Sequence, residues 1–528
     1  MDDEQIIRNN SGFLKDMSNI PEAFRVDAFI QKEASSLYRP LQTITYIIDY
    51  SFVEKEDSLK PFHVTNLILD TLVVLLLFNV LLRLKIERVT AFLLVLLYSV
   101  HPLLTAAVAW IPSRGDLLLG LFTLLSLITF LNYKEDKKTY NIFLHIIIFF
   151  LALLSKETAV FIPVMLLGMD LIVHKAKLLS KENIIFSAIW GSEIIIFLLI
   201  RKFGLNAPPL SSEVLGIKPF LENLPVIPIT AGKFFIPQDL TTYAMFKTYS
   251  AIIGCAVIAG GFFLIYKNKK NRMPAIMGWL WFFLFTIPPM IFKHQLSRFG
   301  TDYLEHRAFL PAMGLLIFTA VIVNGYFSGK SSLMKRPGII ILYSGIFILF
   351  SYTTYNHSLD YKDHMAFANA SIESCDRNAI GYSDRATARI GNGEYTEALI
   401  DLDKSIALCP NNPQAYNNRG VIYLNMNQPE KAYGYISTSI FQDSNFTIAY
   451  LTRGSADIRL NKLKEAVDDF SFVIKKNPEI TAAYYDRAVA FEMLNEFGNA
   501  VQDYSVVLKQ EPGNAEVMNK IEMLRKKL

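Results

Sequence analysis

Residues 64–82, VTNLILDTLVVLLLFNVLL, carry one charged side chain, Asp70, among nineteen residues. A helix that crosses a bilayer needs about 20 mainly apolar residues, because its backbone must bond to itself where no water reaches. This stretch meets that length, and the pattern recurs along the chain at about 89–108, 116–133, 140–154, 158–173, 184–201, 248–266, 275–292, 308–327 and 338–354. The composition agrees: 52% of the 528 residues are hydrophobic, 39 are Phe and only 19% are charged. Clustered in this way, such residues cannot clothe a soluble surface. Residues 63–355 are therefore expected to form a polytopic membrane bundle of about ten helices, and the polar remainder a soluble unit.

The turns between the runs alternate in charge. One set is basic: Arg83, Lys85 and Arg88; Lys134, Lys137 and Lys138; Lys175, Lys177 and Lys181; Lys267, Lys269, Lys270 and Arg272; Lys330, Lys335 and Arg336. The positive-inside rule makes these cytoplasmic. The other set then faces outward: Arg114 with Asp116, Lys156 with Glu157, and the segments 202–247 and 293–307. An even number of crossings puts both chain ends on that outer face as well. The opening MDDEQIIRNN has neither the basic start nor the apolar region of a signal peptide. Either a helix that should precede the outer segment 1–62 is missing from this chain, or the count is off by one; the first reading is adopted. The net charge of +4 resides mostly in these short turns, which gives no footprint for a nucleic-acid partner.

From residue 379 the chain repeats with a period of 34. Tyr382, Tyr416, Tyr450 and Tyr484 are each followed three residues later by Arg385, Arg419, Arg453 or Arg487. Small residues follow at Ala386, Gly420, Gly454 and Ala488, then at Ala398, Ala432, Ala466 and Ala500. Pro410, Pro478 and Pro512 close three units, with Ser444 in the corresponding place of the second. Small residues where two helices cross, an aromatic near the start and a closing Pro make a tetratricopeptide signature. Four repeats over 379–512 are expected, preceded by a linker and partial helix in 356–378 and followed by a capping helix at 513–528. The recurring Tyr and Arg either line a concave protein-binding face or pack within the array, with Arg paired to acidic residues of the second helix such as Asp403, Asp469 and Asp503; the second reading has the better claim.

Several polar groups gather on the outer face. His63, Asn66 and Asp70 can share one side of a helix start. Pro102 breaks the second run beside His101, and that kink aims the imidazole at a substrate or is absorbed by packing. Lys156 and Glu157 make an interfacial pair or supply charge to a phosphate. Glu305, His306 and Arg307 precede an apolar helix, where a guanidinium suits a phosphoryl oxygen. Together they suggest transfer from a lipid-linked phosphate, with a carboxylate as general base. Cys375 and Cys409 read as unrelated thiols or one bridge, and without a CxxC there is no metal cage.

The runs YRPLQTITYIIDY (38–50), FHVTNLILD (62–70), VHPLLTAAVAWIPSRGDLLLGLFTLLSL (100–127), LLSKETAV (153–160) and YLEHRAFLP (303–311), followed by the repeats, resemble the transmembrane and tetratricopeptide-repeat family. Its animal members are described as O-mannosyltransferases of cadherins. The resemblance implies an all-α, GT-C-like helical membrane bundle followed by a tetratricopeptide α-solenoid, using a polyprenyl-phosphate sugar with inversion. It carries the family's catalytic carboxylate onto Asp2, with Asp3 beside it, and gives Arg307 a donor-phosphate role. Arg39, His101, Arg114, Lys156, Glu157 and His306 are implied as site lining. Relatives often have a second His and a Glu where this chain has Leu104 and Ala106. A divalent cation is compatible with the superfamily.

Two functions follow. In the first, a mannose-like hexose passes from a polyprenyl-phosphate donor to a protein or other acceptor, which the repeats present on the periplasmic side of a bacterial inner membrane. In the second, the site is degenerate and the chain is a membrane-anchored scaffold. A transporter fits less well, with no paired inverted repeat and few ionisable residues at mid-membrane.

Overall fold

The computed structural model describes every residue except 1–5, 9, 31–36, 55–57, 174, 206–214, 243–246, 292–303, 328–336, 479 and 512. The chain divides into two compact units, Met1–Asp363 and His364–Leu528, and every regular element among the described residues is a helix.

In the first unit seven helices are long and apolar enough to cross a membrane: Lys60–Arg83, Ile111–Asp136, Lys181–Gly204, Thr248–Lys267, Arg272–Ile291, Glu305–Phe327 and Pro337–Leu359. Arg88–Ser99 and Pro102–Ala109 make an eighth if counted together, bent by 53° where Pro102 interrupts the backbone ladder. This is a multi-pass membrane protein. The other two of the ten expected runs form helices of 17 residues, Thr139–Ser155, and 12 residues, Ile162–Val173, separated by the 3-10 turn Glu157–Phe161. At about 1.5 Å per residue the longer one reaches only about 25 Å, short of a ~30 Å hydrocarbon core. Within 202–247, read from the sequence as a loop, Val226–Phe235 forms a helix too short to register as a span.

Ile111–Asp136 and Glu305–Phe327 are the central helices, each 72% buried over its apolar window, whereas only 6% of Pro337–Leu359 is covered. Arg272–Thr286 and Phe309–Phe327 approach to backbone contact: a Cβ on Gly278 would lie 2.6 Å from the Gly314 carbonyl oxygen. Small residues permit such packing where lipid offers no hydrophobic drive between helices. Lys134 bonds Asp170 at 2.9 Å and Asn183 at 3.0 Å, joining three helices at one end of Ile111–Asp136. The polar groups considered below lie at its other end. Residues before the first span fold onto the bundle, with Ile6, Ile7, Leu14 and Ala23 packed among Tyr46, Tyr50, Phe62 and Ile111.

The second unit opens with the helix His364–Ser374 and continues as antiparallel pairs: Ala379–Gly391 with Tyr395–Leu408, Pro413–Asn425 with Pro429–Gln442, Thr447–Arg459 with Leu463–Lys476, and Thr481–Met493 with Phe497–Gln510. Ala515–Arg525 follows them. Each pair turns through a left-handed residue, Gly393, Asn427, Asn461 or Asn495, the residue types that accept that conformation most readily. Cys255, Cys375 and Cys409 are free thiols.

The repeat arginines are held within the array. Arg385, Arg453 and Arg487 each grip the aspartate sixteen residues on, Asp401, Asp469 and Asp503, through two bonds of 2.7–2.9 Å. In the second repeat that place is taken by Tyr435, so Arg419 lies over the Tyr435 ring and reaches back to Asp403 of the repeat before. Asp469 is 8% exposed and Asp403 is 63% exposed. Arg453→Ala strands a buried carboxylate and should cost the array about 2–3 kcal/mol, whereas Arg419→Ala should cost less than about 1 kcal/mol. Denaturant unfolding of both variants, followed by the repeat unit's helical signal, measures the difference; equal losses would refute the assignment.

Candidate functional site

Three chain segments meet at the start of the central helix. Asp116, in its first turns, receives both oxygens' bonds from Lys156 Nζ at 2.7 Å, and His306 Nε2 lies 3.8 Å from Asp116 Oδ2. The His306 ring packs 5.0 Å from Trp110, and its buried Nδ1 has no hydrogen-bond partner. Glu157 turns away from its neighbour Lys156. It accepts from the Tyr38 backbone N–H at 3.0 Å and pairs with Arg39 at 3.5 Å. His306 and Arg307 ride on the 3-10 turn Glu305–Ala308, where the next central helix begins.

Burial draws the Lys156 ammonium down to about 8; Arg39 and Arg307 act in the same direction, and Asp116 opposes them. Arg39 and Arg307 are thus both near enough to Lys156 for their charges to act on it, while Asp116 pairs with Lys156 and Glu157 with Arg39. A buried lysine with arginines near it suits a ligand of negative charge. Since Lys156 loses its charge as the pH rises through its folded value, affinity for an anion such as a lipid phosphate should decline between about pH 7 and pH 9 rather than above 10. Lys156→Arg should flatten that profile, because a guanidinium stays charged. Binding isotherms across this range test it, and a flat wild-type profile would remove Lys156 from the site.

Other sequence candidates take different places. Arg114 is fully buried and bonds Asp49 at 2.5 Å, Asn66 at 2.8 Å, Thr45 at 3.1 Å and the Phe62 carbonyl at 2.7 Å. It pins the helix Pro40–Tyr50 to the first span and is scaffold rather than lining. His101 uses Nδ1 to cap Leu103 N–H and Nε2 at the Phe234 carbonyl, 2.8 Å away, stacked on the Phe234 ring. The kink at Pro102 is therefore satisfied by packing, and the imidazole is directed at Val226–Phe235. Asp2 and Asp3 lie outside the described residues. Among the described residues no group of three or more His, Cys, Asp or Glu side chains is placed to hold a metal ion. The tyrosines Tyr382, Tyr416, Tyr450 and Tyr484 are half-buried; Arg385, Arg453 and Arg487 lie over the ring of their own repeat.

Trp110 and Asp49 carry much of this geometry and were not singled out in the sequence, and Asp116 was read there only as a turn residue beside Arg114. The only signal was the pair Arg114 and Asp116 at a turn, and spacing could not reveal that the two residues serve different sites.

Fold and site together define a multi-pass membrane protein bearing tetratricopeptide repeats. Models described as TPR repeat and Tetratricopeptide repeat match residues 388–427 and 451–515. The chain is 29% identical over 144 residues to Protein O-mannosyl-transferase F38B6.6 of Caenorhabditis elegans, covering 26% of this chain and 20% of that protein. It is 28% identical over 215 residues to Protein O-mannosyl-transferase TMTC4 of Mus musculus, covering 34% and 29%. The chain thus spans under a third of the length of these relatives, a distant relatedness to a glycosyltransferase superfamily. The crystal structure of MamA protein overlays 28% of this chain and 81% of its own with a TM-score of 0.26 and 21% identity.

Proposed function

We propose that this chain is the membrane and repeat portion of an inverting GT-C-type glycosyltransferase. It moves a mannose-like hexose from a polyprenyl-phosphate donor to a protein or other extracytoplasmic acceptor. The observation that carries this reading is the buried pair of Lys156 with Asp116, with His306 beside it and Arg39 held by the neighbouring Glu157, at the far end of Ile111–Asp136 from the lysine-rich turns. The distant likeness to O-mannosyl-transferases supports the sugar class.

Asp2 acts as general base and takes the proton of the acceptor hydroxyl. The resulting oxygen nucleophile forms a bond to the anomeric carbon as the carbon–oxygen bond to phosphate breaks, and the electron pair leaves with the lipid phosphate. Arg307 and Lys156 stabilise the charge that develops there. On this reading the site and the repeats lie on the periplasmic side of a bacterial inner membrane, where the repeats present the acceptor polypeptide; the basic turns, which favour the opposite side, support it.

Membranes carrying the protein, supplied with polyprenyl-phosphate-linked radiolabelled hexose, should transfer label to endogenous acceptors. The absence of transfer with any such donor, from well-folded protein that retains its repeat-bound partners, would establish a scaffold instead.

A further inference from the structure

We infer that Glu305 is a positioning residue for the turn that carries His306 and Arg307, and that it is held from behind by His357 of the last span. The inference rests on the reading of Arg307 as a lipid-phosphate ligand.

Glu305 is 5% exposed and is shared by elements distant in sequence. Its Oε1 accepts from Lys233 Nζ at 2.6 Å and from the Thr241 backbone N–H at 3.0 Å. Its Oε2 lies 3.2 Å from His357 Nε2, and His357 Nδ1 lies 2.7 Å from Asp360 Oδ2. Lys233 also donates to the Asp239 carbonyl at 2.6 Å, and the Tyr361 ring closes edge-on over His357 at 5.5 Å.

Two features show what this network is for. A buried set of charges is seldom more stabilising than apolar side chains of similar volume, so what it provides beyond them is a defined geometry. The object it defines is the 3-10 turn Glu305–Ala308, only four residues long, which carries Arg307 and whose His306 lies 3.8 Å from Asp116. The second feature is the last span itself. Pro337–Leu359 is the least covered of the long apolar helices, and among its described residues His357 is the one buried side chain. The helix also meets the bundle through the Phe350 ring, edge-on to His101 at 4.8 Å, and through bonds from Tyr343 to the Leu93 carbonyl and from Thr354 to the Val100 carbonyl. A peripheral helix with a single buried residue, directed at the residue before His306 and Arg307, is a latch on the site. The chain enters the repeat unit at His364, shortly after this latch.

The test uses the full chain in lipid nanodiscs and undecaprenyl monophosphate as the probe. His357→Ala should weaken binding about tenfold although His357 is not placed at the phosphate, and Glu305→Ala should weaken it at least as much. The double variant should bind no more weakly than Glu305→Ala alone, since both changes break one connection. His357→Gln, whose amide can still donate to Glu305, should recover most of the loss. Thr354→Val loosens the same span elsewhere and should leave binding as it was. Unchanged binding in His357→Ala, additive losses in the double variant, or an equal loss in Thr354→Val would each overturn the inference. If wild-type protein binds no lipid phosphate, the phosphate reading of Arg307 fails. In that case the thermal unfolding midpoints of the same four proteins decide the latch, since additive shifts at positions 305 and 357 would reject it.

Discussion

Arg114→Ala should leave little folded protein in the membrane. The guanidinium is fully buried, and its donors reach Asp49, Asn66, Thr45 and the Phe62 carbonyl, so it joins the helix Pro40–Tyr50, the start of the first span and the start of the central helix. The Tyr46 ring lies 4.6 Å from its centre and shields it from water. Truncation to Ala leaves the Asp49 carboxylate buried without its cation and leaves several polar groups unmatched. Breaking a buried pair from one side costs about 3–5 kcal/mol, a large part of what a domain has in reserve. Arg114→Lys should restore little, because an ammonium cannot serve these directions from one planar fork. Yield of monodisperse protein in detergent, and its unfolding midpoint, would show the effect. Wild-type yield and midpoint would mean that Arg114 is not the anchor described here.

Asp2→Asn should lower sugar transfer by about 10²–10⁴-fold, the usual contribution of a positioned general base, with no loss of folded protein. Asp2 lies outside the described residues. Ile6 and Ile7 are buried among Tyr46, Tyr50, Phe62 and Ile111, and Ile111 opens the turn that leads into Arg114 and Asp116. The amide keeps the size of the side chain and removes its basicity. Transfer by Asp2→Asn at the wild-type rate would take the base role from this residue.

The architecture was legible because both of its parts are periodic. Apolar runs of span length recur through residues 63–355, and Tyr, Arg and small residues recur every 34 through the array, so local reading suffices. The two short helices on either side of Lys156 and Glu157 were harder: their apolar character is plain, but their reach depends on where the 3-10 turn starts. The site was legible only in part. Lys156 and His306 meet at Asp116, and Glu157 pairs with Arg39, yet these partners are set by packing between residues far apart in sequence. Lys156 prefers Asp116 to its neighbour Glu157, Arg114 prefers Asp49, and Glu305 finds Lys233 and His357. No spacing rule connects such pairs, because each is fixed by how whole helices cross.

Tyr435 in the second repeat has a mechanical consequence. The first, third and fourth helix pairs are clasped internally by an arginine and a buried aspartate, whereas the second pair has no such clasp and leans on its predecessor through Arg419 and the exposed Asp403. The solenoid is therefore a spring of uneven stiffness, with three stiff coils and one soft one. A load on it bends the second coil first, and curvature along the array is adjusted at that joint rather than shared evenly. The unfolding comparison of Arg453→Ala with Arg419→Ala gauges that unevenness directly.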